Sequence, residues 1–108
     1  MGKPYVLRIG GDLDITRYGE TLTALASVPE DARQIVVDLS EVRLIDSMAL
    51  GALILTKFRW DQEGKTAVTV VADARVRRVM NIGNVIERLN VVETLDEALR
   101  LLDQTCSK

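Results

Sequence analysis

The sequence predicts an α/β domain, because short runs rich in β-branched residues alternate with stretches of helical periodicity. Residues 34–39 contain Ile, Val and Val in succession and have the length of a strand that is buried on both faces. Residues 66–71 form a second run of this kind. Helical stretches between such strands imply crossover connections and therefore parallel strand pairs. We expect a small mixed β-sheet with helices packed mainly on one side.

The other elements are predicted from local signals. A weak alternation marks a strand at residues 5–9, and Gly10-Gly11-Asp12 is typical of a turn. Pro29 ends a first helix, and Gly64 caps the end of a second one. Thr94 and Glu97 form a capping box that opens the last helix. The predicted helices span residues 16–27, 46–63, 73–82 and 94–102, and a weaker strand spans residues 89–92.

Composition excludes several classes of function. The chain has 108 residues, the size of one domain, which we assign to residues 1–108. A formal net charge of −2 gives no bulk positive field for nucleic acid. Histidine is absent, which removes the commonest general base and most zinc sites. We therefore expect no enzyme, no catalytic residues, no metal and no cofactor.

The chain also lacks the sequence features of a membrane or secreted protein. No run of 18 apolar residues is present, and the N-terminus enters strand-like sequence at once. Cys106 is the only cysteine, which fits a reducing compartment. These features predict a cytoplasmic protein that is not embedded in a membrane.

The most informative segment runs from Val36 to Gly51. It reads as a buried strand, a tight loop and a helix that opens at Asp46-Ser47. A serine at a helix N-terminus lies where amide N–H groups and the helix dipole favour a phosphate. The structural alternative is that Asp46 or Ser47 is only the cap of this helix, and that Asp14 only closes the turn into the first helix.

The helix that begins at Ser47 has more apolar residues than one core face needs. A helical wheel places Ala49, Leu50, Leu53, Thr56 and Trp60 on the core side. The other side carries Met48, Gly51, Leu55, Phe58 and Arg59. This second side is either covered by a loop or the last helix, or it is a protein-binding surface that runs from Met48 through Leu55.

Four segments together resemble the STAS domain, the fold of bacterial anti-sigma factor antagonists. Gly11-Asp12-Leu13-Asp14 is similar to the Gly-Glu-Leu-Asp that opens these domains. The central Asp-Leu-Ser-x-Val and Ile-Asp-Ser elements are matched at residues 38–42 and 45–47. Residues 74–79 resemble the start of the third helix of the family, and residues 94–99 its closing helix. The resemblance spans almost the whole chain in order.

The resemblance implies a role in binding an anti-sigma factor, a serine kinase, so that a sigma factor is released. In that family the kinase inactivates its antagonist by phosphorylating a hydroxyl residue at the start of the second helix. A phosphate adds roughly −1.5 to −2 charges, which is unfavourable near acidic groups such as Asp14 and Asp46. The usual acceptor position is occupied here by Met48, and Ala49 replaces a common glycine.

Three readings of this difference stay open. Ser47 has taken over as phosphorylation site, or the domain is an antagonist without a switch, or the fold serves another assembly as a docking module. Our interpretation is a non-catalytic anti-sigma factor antagonist that phosphorylation does not switch. Phosphate on Ser47 in cells would contradict it.

The alternative function is a docking subunit of an ATP-driven lipid or solute transport complex or of a stress-signalling assembly, since free-standing STAS proteins also assist lipid transport systems. Self-association as a homodimer stays open. The residues assigned to partner binding are Asp14, Asp46, Ser47, Met48, Ala49, Gly51 and Leu55.

Overall fold

The computed structural model describes residues 3–106, of which residues 83, 105 and 106 are described by their backbone alone. Four strands form one sheet in the order β1-β2-β3-β4. All three strand pairings in this described sheet are parallel. The strands are β1 (Tyr5–Arg8), β2 (Gln34–Asp38), β3 (Thr66–Val70) and β4 (Val91–Val92).

The α/β prediction is confirmed, with one correction to strand direction. We expected a mixed sheet, whereas the described sheet is wholly parallel. The reason is that every connection between consecutive strands contains a helix, and a helical crossover returns the chain in the same direction. The helices are α1 (Tyr18–Ala26), α2 (Ser47–Gln62), α3 (Ala74–Met80), α4 (Val85–Arg88) and α5 (Leu95–Cys106).

Helices cover both faces of the sheet unequally. Side chains of α1 to α4 pack with Ile35 and Val37 in the larger core, whereas Val36 points to the opposite face. There Ala98 and Leu102 of α5 pack on the sheet and form a second, smaller core. The expectation that helices lie mainly on one side therefore holds, with α5 alone on the other side.

The segment between β3 and β4 differs most from the sequence prediction. The predicted helix over residues 73–82 ends at Met80, and a 3-10 turn (Ile82–Asn84) leads into α4, which sequence patterning missed. Asn84 and Asn90 adopt left-handed backbone conformations, with φ of 64° and 51°. These two turns delimit α4, so that β4 is shorter than the predicted strand at residues 89–92.

Candidate functional site

The loops after β1 and β2 are joined at the carboxyl edge of the sheet. The Leu13 N–H donates to the Leu44 carbonyl at 2.8 Å, and the Asp46 N–H donates to the Leu13 carbonyl at 3.0 Å. Leu13 and Ile45 are buried, at 0% and 5% exposure, and anchor both loops in the core. The structure thus places Asp14 and Asp46, each one residue after a buried anchor, at the same edge of the sheet.

Both carboxylates cap helical segments. Asp46 accepts a hydrogen bond from the Ala49 N–H at 2.9 Å and is the N-cap of α2. Asp14 accepts from the Thr16 hydroxyl and, at 3.1 Å, from the Thr16 N–H, at the start of a 3-10 turn (Ile15–Arg17). The side-chain hydrogen bond from Thr16 is the main cause that lowers the pKa of Asp14. Each carboxylate therefore has a structural role at its position.

Ser47 is the first residue of α2 and is exposed. Because Asp46 supplies the cap, the Ser47 hydroxyl is left without a hydrogen bond to any part of the chain that the structure describes. Of the two capping assignments that the sequence left open, the structure selects Asp46. The Ser47 side chain is accessible for modification, and phosphorylation at this residue stays a prediction.

Met48, Gly51 and Leu55 lie on the outer side of α2. Met48 is 44% exposed and Leu55 is 70% exposed. A Cβ atom added to Gly51 would meet no atom within 4 Å, so the surface between these two side chains is open. We call Ser47, Met48, Gly51 and Leu55 the α2 face.

Ala49 does not belong to the α2 face, which corrects its predicted role in partner binding. Its side chain is 0% exposed and packs in the larger core, so it cannot contact a partner. Its backbone N–H is bound by Asp46. The substitution of a glycine by Ala49 therefore adds a buried methyl group and leaves the outer surface of α2 unchanged.

The α2 face is uncovered in the described part of the chain. The sequence left open that the last helix covers it, but α5 packs on the opposite side of the sheet. The predicted core side is correct for Ala49, Leu53, Thr56 and Trp60, while Ala52 is buried and Leu50 only half-buried. The helical phase read from the sequence was therefore close to the observed one, and the second apolar side is a true surface.

Exposed apolar residues outside α2 were missed by sequence patterning. Leu44 precedes α2 and is 51% exposed, and Ile82 in the turn after α3 is 75% exposed. The sequence signal was weak, because a single apolar residue in a loop is usually explained by packing. Of the arginines in α3, Arg75 pairs with Asp73 at 3.1 Å, and Arg77 donates to two backbone carbonyls. These two side chains support the start of α3.

Two absences hold for the residues that the structure describes. No three His, Cys, Asp or Glu side chains there converge into a group that could hold a metal ion. No helix there is long and apolar enough to cross a membrane.

The fold is shared with solved structures of low sequence identity. A sulfate transporter family protein from Wolinella succinogenes superposes with a TM-score of 0.78 at 17% identity, over 100% of this chain and 93% of the other. The STAS domain of a SulP transporter from Vibrio cholerae gives a TM-score of 0.77 at 15% identity, over 100% and 88%. The protein TM1081 gives 0.72 at 22% identity, over 88% and 78%.

Comparison with curated proteins gives no match. The family model described as "Mlab, STAS domain" matches residues 1–101, nearly the full length of the chain. This match agrees with the four sequence segments, the parallel sheet and the exposed start of α2. The chain therefore belongs to the STAS domain family, whose members are protein-interaction modules.

Proposed function

We propose that this protein is a non-catalytic docking subunit of an ATP-driven transport complex, in the cytoplasm, and that it binds its partner through the α2 face. The observation that carries the proposal is Met48, an exposed apolar side chain at the position where regulatory members of the family have a phosphorylated hydroxyl residue. A methionine there cannot be switched by a kinase. It can be buried permanently in an interface.

The α2 face has the chemistry of an interface centre. Met48 and Leu55 are large apolar side chains on a rigid helix, and full burial of such a side chain contributes roughly 1.5–3 kcal/mol. More than half of the Met48 surface is already buried in the free domain. We therefore expect Met48 to contribute about 1 kcal/mol to the binding free energy, and Leu55 to contribute more. The family match to the description "Mlab, STAS domain" and the two transporter-derived STAS structures support a transport assembly over a regulatory one.

A second candidate is the anti-sigma factor antagonist that binds a serine kinase. The exposed hydroxyl of Ser47 supports it, because a phosphate on this residue would lie at the N-terminus of α2 and beside Asp46. In this candidate the phosphate weakens binding by placing like charges in the interface. The two candidates differ in partner and in whether Ser47 is modified.

Affinity capture from the native organism tests the proposal. Wild type is compared with Met48→Glu and with a matched control, Leu99→Glu, which makes the same charge change on α5 at 37% exposure. Partners and the state of Ser47 are read by mass spectrometry. A transport ATPase that is captured by wild type and Leu99→Glu, and at least about tenfold less by Met48→Glu, supports the proposal.

Two outcomes would contradict it. Capture of a serine kinase, with phosphate on a fraction of Ser47, would favour the antagonist. Capture of the ATPase at equal yield by all three proteins would place the contact away from Met48.

A further inference from the structure

A groove separates the second half of α2 from the end of α4. It has a volume of about 390 Å³, within the range of binding pockets of proteins. Leu55 and Phe58 form one wall, and the buried Leu89 contributes to the floor. Lys57, Asp61 and Arg88 line the same groove and supply its charged groups. It adjoins the α2 face at Leu55 but extends away from Met48, toward the C-terminal end of the helix.

The apolar wall of the groove is exposed to an unusual degree. Phe58 is 58% exposed and Leu55 is 70% exposed, although α2 already buries a complete core face. The two residues are three positions apart and therefore lie side by side on the helix surface. Such a wall accepts apolar side chains that are spaced by one helical turn on another element.

The charges of the groove are unbalanced in the positive direction. The Lys57 ammonium and the Asp61 carboxylate bind each other at 2.9 Å and neutralise each other. Arg88 has no carboxylate partner among the described residues. The Arg88 guanidinium therefore leaves the groove with one unpaired positive charge.

We infer that this groove binds an amphipathic helix of a partner protein that carries acidic residues beside its apolar stripe. Apolar side chains at i, i+3 and i+4 fit against Phe58 and Leu55, and a flanking carboxylate pairs with Arg88. This inference goes beyond the proposed function, because the groove shares only Leu55 with the α2 face and the inference holds for any partner with such a segment.

The geometry favours a helix over a membrane surface. The groove is concave, whereas a bilayer is contacted by protruding side chains. One free cation contributes only about 1 kcal/mol of attraction to an anionic leaflet. A helix can insert its side chains into the groove and keep its carboxylates on the side of Arg88.

A displayed library of helices tests this inference on the intact protein. The library has fixed leucines at i, i+3, i+4 and i+7, and its flanking positions are randomised among Glu, Lys and Gln. Selection on wild type, with counter-selection on Phe58→Asp, is expected to enrich Glu over Lys at the flanking positions. The best peptide is then synthesised, and its affinity is measured by fluorescence anisotropy.

We expect Phe58→Asp to lower the affinity for this peptide by at least about tenfold and Arg88→Glu to lower it by roughly fivefold. Met48→Glu and Leu99→Asp are expected to bind it like wild type. The melting temperature of each variant is measured as well, and only variants that are folded at the assay temperature are compared, because Met48 and Leu99 are partly buried. Loss with Met48→Glu alone would assign the peptide to the α2 face and overturn the inference. A failure of the proposed function leaves these measurements unaffected.

Three other outcomes would also overturn it. The first is a selection that yields no Phe58-dependent peptide or enriches Lys over Glu. The second is binding to vesicles of anionic phospholipid that Phe58→Asp abolishes, which would assign the groove to a membrane. The third is a concentration-dependent dimer that Phe58→Asp dissociates, which would make a second copy of the chain the occupant.

Discussion

Replacement of Asp46 by alanine separates the structural role of this carboxylate from any role in binding. The variant removes the hydrogen bond from the Ala49 N–H to the Asp46 side chain and leaves one cap amide of α2 unpaired. It keeps the two backbone bonds of residue 46, to Leu13 and from Leu50, because the main chain is unchanged. The change therefore isolates the cap.

The expected loss of stability follows from this single bond. Removal of an Asp N-cap costs about 1 kcal/mol, within a range of roughly 0.5–2 kcal/mol. A chain of 108 residues unfolds with an entropy of about 230 cal/mol/K, from roughly 2.1 cal/mol/K per residue. The melting temperature should therefore fall by about 4 °C. Asp46→Asn should lose less, because asparagine caps nearly as well and only the interaction with the helix dipole is reduced.

Differential scanning calorimetry at neutral pH measures these shifts. Asp73→Ala is the matched control, since Asp73 caps α3 by accepting from the N–H groups of Arg75 and Val76 at 2.8 and 3.3 Å. It should lose at least as much stability, because Asp73 also accepts hydrogen bonds from the Arg75 side chain. If Asp46→Ala melts within about 1 °C of wild type while Asp73→Ala does not, the capping argument is refuted for Asp46. A loss of partner binding in such a stable variant would then identify Asp46 as a direct contact.

Two further predictions concern a buried cation and the response to acid. Lys65 is 7% exposed, and its ammonium donates to the Glu30 carbonyl and, at 2.8 Å, to the Ala32 carbonyl. Lys65→Met should lower the free energy of unfolding in urea by about 1–3 kcal/mol. The control is Lys57→Met, which breaks a surface ion pair, and a urea midpoint of Lys65→Met no lower than that of the control would contradict the prediction. Hydrogen bonds, chiefly from the Thr16 hydroxyl to Asp14 and from the Arg75 side chain to Asp73, lower the pKa of both carboxylates below 3.8. The stabilisation by these two ionised carboxylates is present above pH 3.8 and is lost as the pH falls through their lowered pKa values. The double variant Asp14→Asn, Asp73→Asn should therefore lose less stability than wild type when calorimetry is repeated below about pH 4. Equal losses would show that other titrating groups cause the acid sensitivity.

The elements that the sequence predicted well are those that depend on near neighbours. The strand at Gln34–Asp38 follows from an uninterrupted apolar run, and α2 ends near Gly64 because this residue adopts a φ of 80° that disfavours other side chains. One half of the capping box of α5 is observed, with the Glu97 N–H donating to the Thr94 hydroxyl at 3.2 Å. The Glu97 carboxylate accepts from the N–H of Glu93, one residue before the predicted position, at 3.3 Å. In each case the signal and the structure lie within a few residues of one another.

The elements that the sequence missed are set by contacts over longer distances. The four residues of α4 are too few for a periodic signal, and this helix is fixed by burial of Val85 and Leu89 in the common core. The amide of Asn90 reaches across to the Ala67 carbonyl at 3.0 Å and fixes the turn that shortens β4. The sequence of residues 82–92 alone identifies neither the core residues that pack on α4 nor the Ala67 carbonyl that Asn90 binds.

By itself, the sequence determined the α/β class, the STAS family, the helix that begins at Ser47 and the surplus of apolar residues on that helix. All of these are encoded in periodicity, capping and motif residues close together in the chain. The tertiary structure alone decided that Ala49 is buried and that Met48 and Leu55 are uncovered, because α5 packs on the far side of the sheet. Which face of α2 stays open depends on where the distant helix α5 packs. The local sequence pattern of α2 contains no information about that packing.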